Sequence, residues 1–389
     1  MAHNSLYARC LRFQAISLFI STAALIFISC GHSHAAPQEI PISTLLDAIA
    51  KYGQGQSYAA TPPAVSSTLP LNFAGNSIDN APEDFYPPLI NALLTHERFE
   101  DLEMIAAKAR AEKSRHSGGI WVIKDFYEAV ATPLATPLAP SPSAQAWDAQ
   151  TALINKWVAA FPRSATARIS LANLFASRAW DARGHDYADS VDDKSWETFY
   201  DYMNRAKSVA LDAAALKDRD PYWFDLMMQI SLAEGWDSAA EKTLFELASA
   251  FEPSYYHYYR AQALYLLPRW HGEEGEMEAF AEQTLKRLSE PTASMMYFDI
   301  VTTYACGCMD DAPTLHGASW PKLKEGYENL VRLYKVSSLK ANRYAYLTYV
   351  ANDKAAASEA FKQLGDQYVR DSWKNRMQFE TARAWALNP

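Results

Sequence analysis

Three short stretches of this sequence carry side chains able to do chemistry. In Arg183-Gly184-His185-Asp186-Tyr187, with Asp189 just beyond, an imidazole lies among carboxylates, the arrangement of a general base or a metal ligand. The same residues also read as a polar turn, with Asp192 or Asp193 capping the helix that follows. In Pro268-Arg269-Trp270-His271-Gly272 an Arg beside a Trp can present a cation–π or anion-binding surface. The plainer alternative is a corner in which Pro breaks a helix, Trp270 packs and Arg269 satisfies a helix end or an acid. Tyr255-Tyr256-His257-Tyr258-Tyr259 spreads rings round a helix, either to stack on a glycan or peptide or to pack with bonded hydroxyls.

Cysteine adds little to this chemistry. Cys10 lies in the N-terminal signal and Cys30 is an acylation candidate, which leaves Cys306-Gly307-Cys308 for the fold. That C-x-C spacing reads as two ordinary residues at a helix end or turn, or as a candidate disulfide that Gly307 would permit. His316 follows, but no fourth ligand stands at zinc-like spacing, so no metal is expected there. The sequence has no H-E-x-x-H, G-x-S-x-G, P-loop or G-x-G-x-x-G pattern. No nucleophile is nominated and no cofactor is implied.

The first residues give an address. Arg9 and Arg12 precede an uncharged run from Ala15 to Ser29, too short for a comfortable membrane span and suited to a signal peptide. Phe27-Ile28-Ser29-Cys30-Gly31 resembles a lipobox, although Phe27 stands where Leu is usual. The competing reading is cleavage after Ser33-His34-Ala35. We favour the first, which makes residues 1–29 a lipoprotein signal (1–35 if the second holds) and Cys30 the acylated residue. The chain would then be held at a membrane by its lipid, facing the periplasm and preferring the outer membrane. The formal net charge of −9 disfavours phosphate-rich partners, nucleic acid above all.

These residues need elements to hold them, and the elements are helical. Residues 30–80, rich in Ala, Pro, Ser and Gly, read as a tether containing one short apolar stretch, Ile42 to Tyr52. Residues 81–131 read as an N-terminal helical piece. Residues 132–143, with four Pro in twelve, read as a second linker before a helical-repeat region, 144–389. In that region Trp147, Thr151, Ile154, Trp157, Val158 and Phe161 recur with helical period, and Pro162 stops the helix. Further helices run through Trp196–Ala213, Phe224–Leu232, Trp236–Phe251 and Met277–Leu288. No stretch alternates cleanly as a strand would. The expected fold is therefore all-α, with stacked helical hairpins in a tetratricopeptide-like α-solenoid and no substantial sheet; a compact irregular bundle is the alternative. Residues 352–373 read as one such hairpin.

The stretch from Trp147 to about Tyr304 also resembles a bacterial family catalogued as domain of unknown function 4034. The matching pieces are A-W-D-A-R-G at Ala179 to Gly184, Y-A-D-S-V at Tyr187 to Val191, and Trp196 opening a long helix. They continue with D-P-Y-W at Asp220 to Trp223, G-W at Gly235-Trp236, E-P-S-Y-Y at Glu252 to Tyr256, and L-L-P-R-W-H-G at Leu266 to Gly272. The family pattern has Gly where Asp186 stands and Thr where Ser190 stands, so that turn differs here. The resemblance implies a helical, tetratricopeptide-like domain and no reaction. Two functions are open: an envelope interaction module binding a protein or peptide, or an envelope enzyme or small-ligand receptor. The second would have its pocket at the Arg183, His185, Arg269 and Trp270 turns, beside Tyr187. Most of the Trp are expected to be buried wedges between hairpins.

Overall fold

Apolar faces repeating every three to four residues, broken by capping Asp or Ser, leave this chain little choice but helix. The computed structural model describes residues 41–54, 86–133, 142–184, 188–303, 315 and 317–388. The α-helices among them are α1 (Ile42–Gly53), α2 (Tyr86–Thr95), α3 (Phe99–Ala111), α4 (Val122–Ala131), α5 (Ala144–Ala160), α6 (Ala165–Arg183), α7 (Asp193–Ala214) and α8 (Pro221–Glu234). They continue as α9 (Ser238–Phe251), α10 (His257–Tyr265), α11 (Glu276–Arg287), α12 (Thr292–Val301), α13 (Trp320–Tyr334), α14 (Ser338–Val350), α15 (Lys354–Leu364) and α16 (Arg376–Leu387). Extended pairing among the described residues is confined to a bridge between Arg115 and Trp121. The fold is all-α, built of helices that pack mainly on their neighbours in the chain, α6 on α7, α12 on α13, α14 on α15 and α15 on α16.

Each hairpin end is written locally. Ser143, Ser164, Asp192, Asp220, Asp237, Ser337, Asp353 and Asn375 accept a hydrogen bond from a backbone N–H in the first turn of the following helix. Gly235 ends α8 in the left-handed region, which a side chain would strain. Residues 352–373 do not form a hairpin by themselves. They hold α15 and a single 3-10 turn, Arg370–Ser372, so the hairpins in this part are α14–α15 and α15–α16.

Two expected boundaries dissolve in the core. The residues from Pro41 onward form one compact unit. Within it α1 is no part of a tether: Leu45, Ile49 and Tyr52 are buried, and the Tyr52 ring stacks 4.1 Å from Trp223. Nor does the Pro-rich segment separate two bodies. Asn173 of α6 donates to the Tyr127 carbonyl of α4 at 3.0 Å, and Gln150 of α5 donates to the Val130 carbonyl at 2.7 Å.

One buried carboxylate ties these pieces together. Asp220 Oδ1 caps α8 by accepting from the Tyr222 N–H at 2.9 Å. Its Oδ2 lies 2.7 Å from Nη1 of Arg110 on α3 and accepts from the Tyr127 hydroxyl of α4 at 2.6 Å. The Tyr52 hydroxyl of α1 accepts from the Asp220 N–H at 2.7 Å. Burial works against the Arg110 charge, yet Asp220 holds its pKa above the usual value. A second buried acid has no such cation: Glu241 of α9 accepts from the Ser231 hydroxyl of α8, and burial pushes its pKa up to about 7.

Replacing Asp220 with Ala should cost ~3–5 kcal/mol in urea unfolding, because Arg110 is left charged and buried. Asp220→Asn, which keeps the cap but not the charge, should recover only the ~1 kcal/mol of the cap. A cost within ~1 kcal/mol for Asp220→Ala would refute the assignment. Glu241 gives a pH signature. A carboxyl that holds its proton more tightly when folded stabilises the fold at low pH, and that contribution is lost as pH rises through about 7. Glu241→Gln should therefore raise the melting temperature at mildly alkaline pH and leave it nearly unchanged in acid.

Candidate functional site

The turn after α6 and the corner before α11 are brought together by tryptophans. Trp180 and Arg183 lie one turn apart near the end of α6, which Gly184 closes with φ +75°. Trp196, Phe199 and Tyr200 lie at i, i+3 and i+4 near the start of α7, which Asp192 caps. Trp180 meets Trp270 edge-to-face at 5.7 Å and Phe199 at 5.0 Å. The Arg183 guanidinium sits 5.3 Å over the Trp196 ring and 5.9 Å over Trp180. Tyr200 stacks on Trp196 at 5.6 Å and keeps 49% of its surface exposed. The Trp270 indole N–H is buried without an acceptor among the described residues.

Of the residues singled out in the sequence, Arg183 and Trp270 thus join one aromatic corner through Trp180. Arg269 is exposed beside it. His185, Tyr187, Cys306 and Cys308 lie outside the described residues, as does Cys30 with the whole leader. Among the described residues no helix is long and apolar enough to cross a membrane, and no three His, Cys, Asp or Glu side chains gather to hold a metal.

The remaining pieces that carry the resemblance form tight turns and packing contacts. A Cβ at Gly272 would stand 2.1 Å from the Leu266 carbonyl oxygen, so the corner after Trp270 admits only glycine. His271 Nε2 donates to the Leu232 carbonyl at 2.8 Å, beside Gly235, which joins the G-W turn to this corner. Trp223 donates to the Ala210 carbonyl at 2.7 Å. Tyr258 donates to the Pro221 carbonyl at 2.8 Å and Tyr255 to Asp225 at 3.2 Å, so these rings pack with bonded hydroxyls.

A second constellation was not found in the sequence. Asp225 on α8 lies 3.5 Å from the Lys124 ammonium of α4, which also pairs with Glu128. Burial raises the Asp225 pKa against the pull of Lys124. Next to it, His257 at the start of α10 accepts the Trp121 N–H on Nε2 at 3.1 Å. An imidazole accepting there is neutral with its proton on Nδ1. Burial, then Lys124, Arg260, Arg115 and Lys340, push its pKa well below the usual value. Arg115 is caged by the rings of Trp121 at 4.7 Å, Tyr256 at 5.0 Å and Tyr334 at 5.2 Å. Beyond His257, Lys340 on α14 pairs with Asp299 on α12, whose backbone carbonyl accepts from Arg260 Nη1 at 3.1 Å. Arg343 follows one turn after Lys340.

The sequence did hold a signal for this seam. Asp225 in PYWFDLMMQI and Asp299 in TASMMYFDIV are acids inside otherwise apolar helices. Lys340 and Arg343 share the helical face of Tyr344 and Leu347, which is otherwise apolar. Chemically the seam is suited to holding charge rather than to catalysis. Its histidine has Nε2 committed to a backbone N–H and so is not free to take a proton there.

Comparison of the chain with family models, with curated proteins and with solved structures gives no match.

The Trp residues divide into two classes. Trp121, Trp147, Trp157, Trp223, Trp236 and Trp373 are buried, whereas Trp180, Trp196, Trp270, Trp320 and Trp385 are half-buried. Trp223→Ala should therefore cost ~3–5 kcal/mol, and Trp196→Ala clearly less. Equal losses in chemical denaturation would mean that the corner is core, not surface.

Proposed function

We propose that the chain is a helical-repeat interaction module of the bacterial cell envelope, binding a protein or peptide partner, with no reaction assigned to it. The observation that carries this reading is the aromatic corner. Tyr200, half-exposed and stacked on Trp196 beneath Arg183, offers a flat apolar surface with one cation, as interface anchors do. Stacked hairpins also suit an extended partner, since each adds a helix end to a continuous surface. The envelope assignment rests on the signal-like leader and the lipobox around Cys30. The resemblance to domain of unknown function 4034 fits a helical module and adds no reaction. The unpaired Trp270 N–H favours one alternative, a receptor for a small ligand that presents an acceptor to that corner.

Tyr200→Ala tests the reading because it removes exposed surface. It should shift the unfolding midpoint by less than ~1 kcal/mol. In cross-linking from envelope extracts it should lose the partner that the wild-type chain retains. A variant that retains every wild-type cross-link would refute the corner as the binding surface. In the same cells Cys30→Ser should release the protein from the membrane fraction and abolish labelling by palmitate. Unchanged membrane association, with a mature terminus at Ala36, would assign the soluble form.

A further inference from the structure

Around Asp299 three cations converge from two helices. Lys340 pairs with its carboxylate and Arg260 donates to its backbone carbonyl at 3.1 Å. Arg343, at i+3 from Lys340, is on the same face of α14. Its Nε is buried without a hydrogen-bond partner among the described residues. An arginine normally satisfies its donors, and a buried donor left open is costly. Lys340 also stands in the first turn of α14, where the helix dipole adds positive potential. Lys340 pairs with the Asp299 carboxylate, Asp299 and then the exposed Asp371 act on Arg343, and three cations stand against two carboxylates.

From this geometry we infer an oxyanion site at the start of α14, formed by Arg343, Arg260 and Lys340, that takes a phosphoryl group, free or as a monoester. An anion offsets the excess of cations, and a planar guanidinium with an open Nε–H matches its oxygens. Asp299 does not compete for this role, because its carboxylate is engaged by Lys340 and orients that side chain. Burial, with Arg260 and Arg343 against Asp299, pushes the Lys340 pKa down to about 7. Burial and Arg260 bring Arg343 down to about 9. A bound dianion would relieve both. The acidic surface of the whole chain makes an isolated phosphate group, rather than a polyanion, the fitting ligand. This inference is independent of the aromatic corner, which lies on α6, α7 and the segment before α11.

Calorimetric titration of the full chain with inorganic phosphate at millimolar concentration tests it. Binding is expected, with competition by sulfate and none by acetate at matched ionic strength. Arg343→Gln should weaken it at least tenfold, about 1.4 kcal/mol. Arg376→Gln, which breaks a surface pair with Glu380, should not. Glycerol phosphate binding more tightly than inorganic phosphate would point to an ester as the natural ligand, and the reverse order to the free ion. If Arg343→Gln fails to fold, wild-type protein can be treated with phenylglyoxal and the modification of Arg343 read by peptide mass. Phosphate should then slow it at least tenfold where chloride does not. No heat of binding in the wild type, undiminished binding in folded Arg343→Gln, or no protection of Arg343 would each overturn the proposal.

Discussion

A carboxylate buried to 1% exposure has to be compensated on the spot, and the Asp220 carboxylate is met by α3, α4 and the first turn of α8, while α1 holds its backbone. Its cap holds the first turn of α8. Its ion pair reaches α3, it accepts from Tyr127 on α4, the Asp220 backbone N–H donates to Tyr52 on α1, and Arg110 passes on to Thr166 of α6 at 3.0 Å. The desolvation of such a pair is repaid only when every partner is in place. A stack of hairpins in which each touches only its neighbours could fray from its first hairpin inward. Here fraying of α1, α3 or α4 exposes or orphans a charge at the centre of the molecule, so the N-terminal helices are bound cooperatively to the rest.

The loop between α3 and α4 extends the same logic along the chain. Arg115 donates to the Ser254 carbonyl at 2.7 Å while its face is covered by Trp121, Tyr256 and Tyr334. The Gly118 N–H donates to the Lys335 carbonyl at 3.2 Å, and a Cβ at Gly118 would meet the Ser337 hydroxyl at 2.9 Å. One loop therefore touches the turn before α10 and the turn before α14. It sets the distance between His257 and Lys340, which come from different hairpins. The seam of charges is possible because this loop, rather than sequential stacking, fixes the layers it runs through.

Helical period, caps and stops could be read from the sequence because they are local. Pro162 ends α5 and Asp192 opens α7 whatever the rest of the chain does. Membership of the core was not legible in the same way. Ile42 to Tyr52, in a stretch rich in Ala, Pro and Ser, looks like an ornament on a tether. What makes it core is the Asp220 N–H meeting the Tyr52 hydroxyl, a contact between distant residues. The Pro-rich stretch at 132–143 reads as a spacer for a related reason. Proline content reports local stiffness and says nothing of whether Gln150 will reach across to Val130. The family-like pieces were legible as landmarks, but the way they join two turns emerges only when Gly235, His271 and Gly272 are seen in one place.

The two candidate surfaces differ in how the fold maintains them. At the aromatic corner, Arg183 and Tyr200 add little that the hairpins need. Phe199 is buried beneath them, and the rings above it are half-covered, so their cost of exposure is modest and their value lies in what they contact. At the basic seam the opposite holds. Burying Lys340 beside Arg260 and Arg343 is unfavourable, and Asp299 offsets only part of it. An apolar residue at Lys340 would pack against the Gly118 turn without that cost, as apolar replacements of buried charges often do. Stability therefore does not account for the buried Arg343 Nε lacking a hydrogen bond, which an anion as proposed would supply.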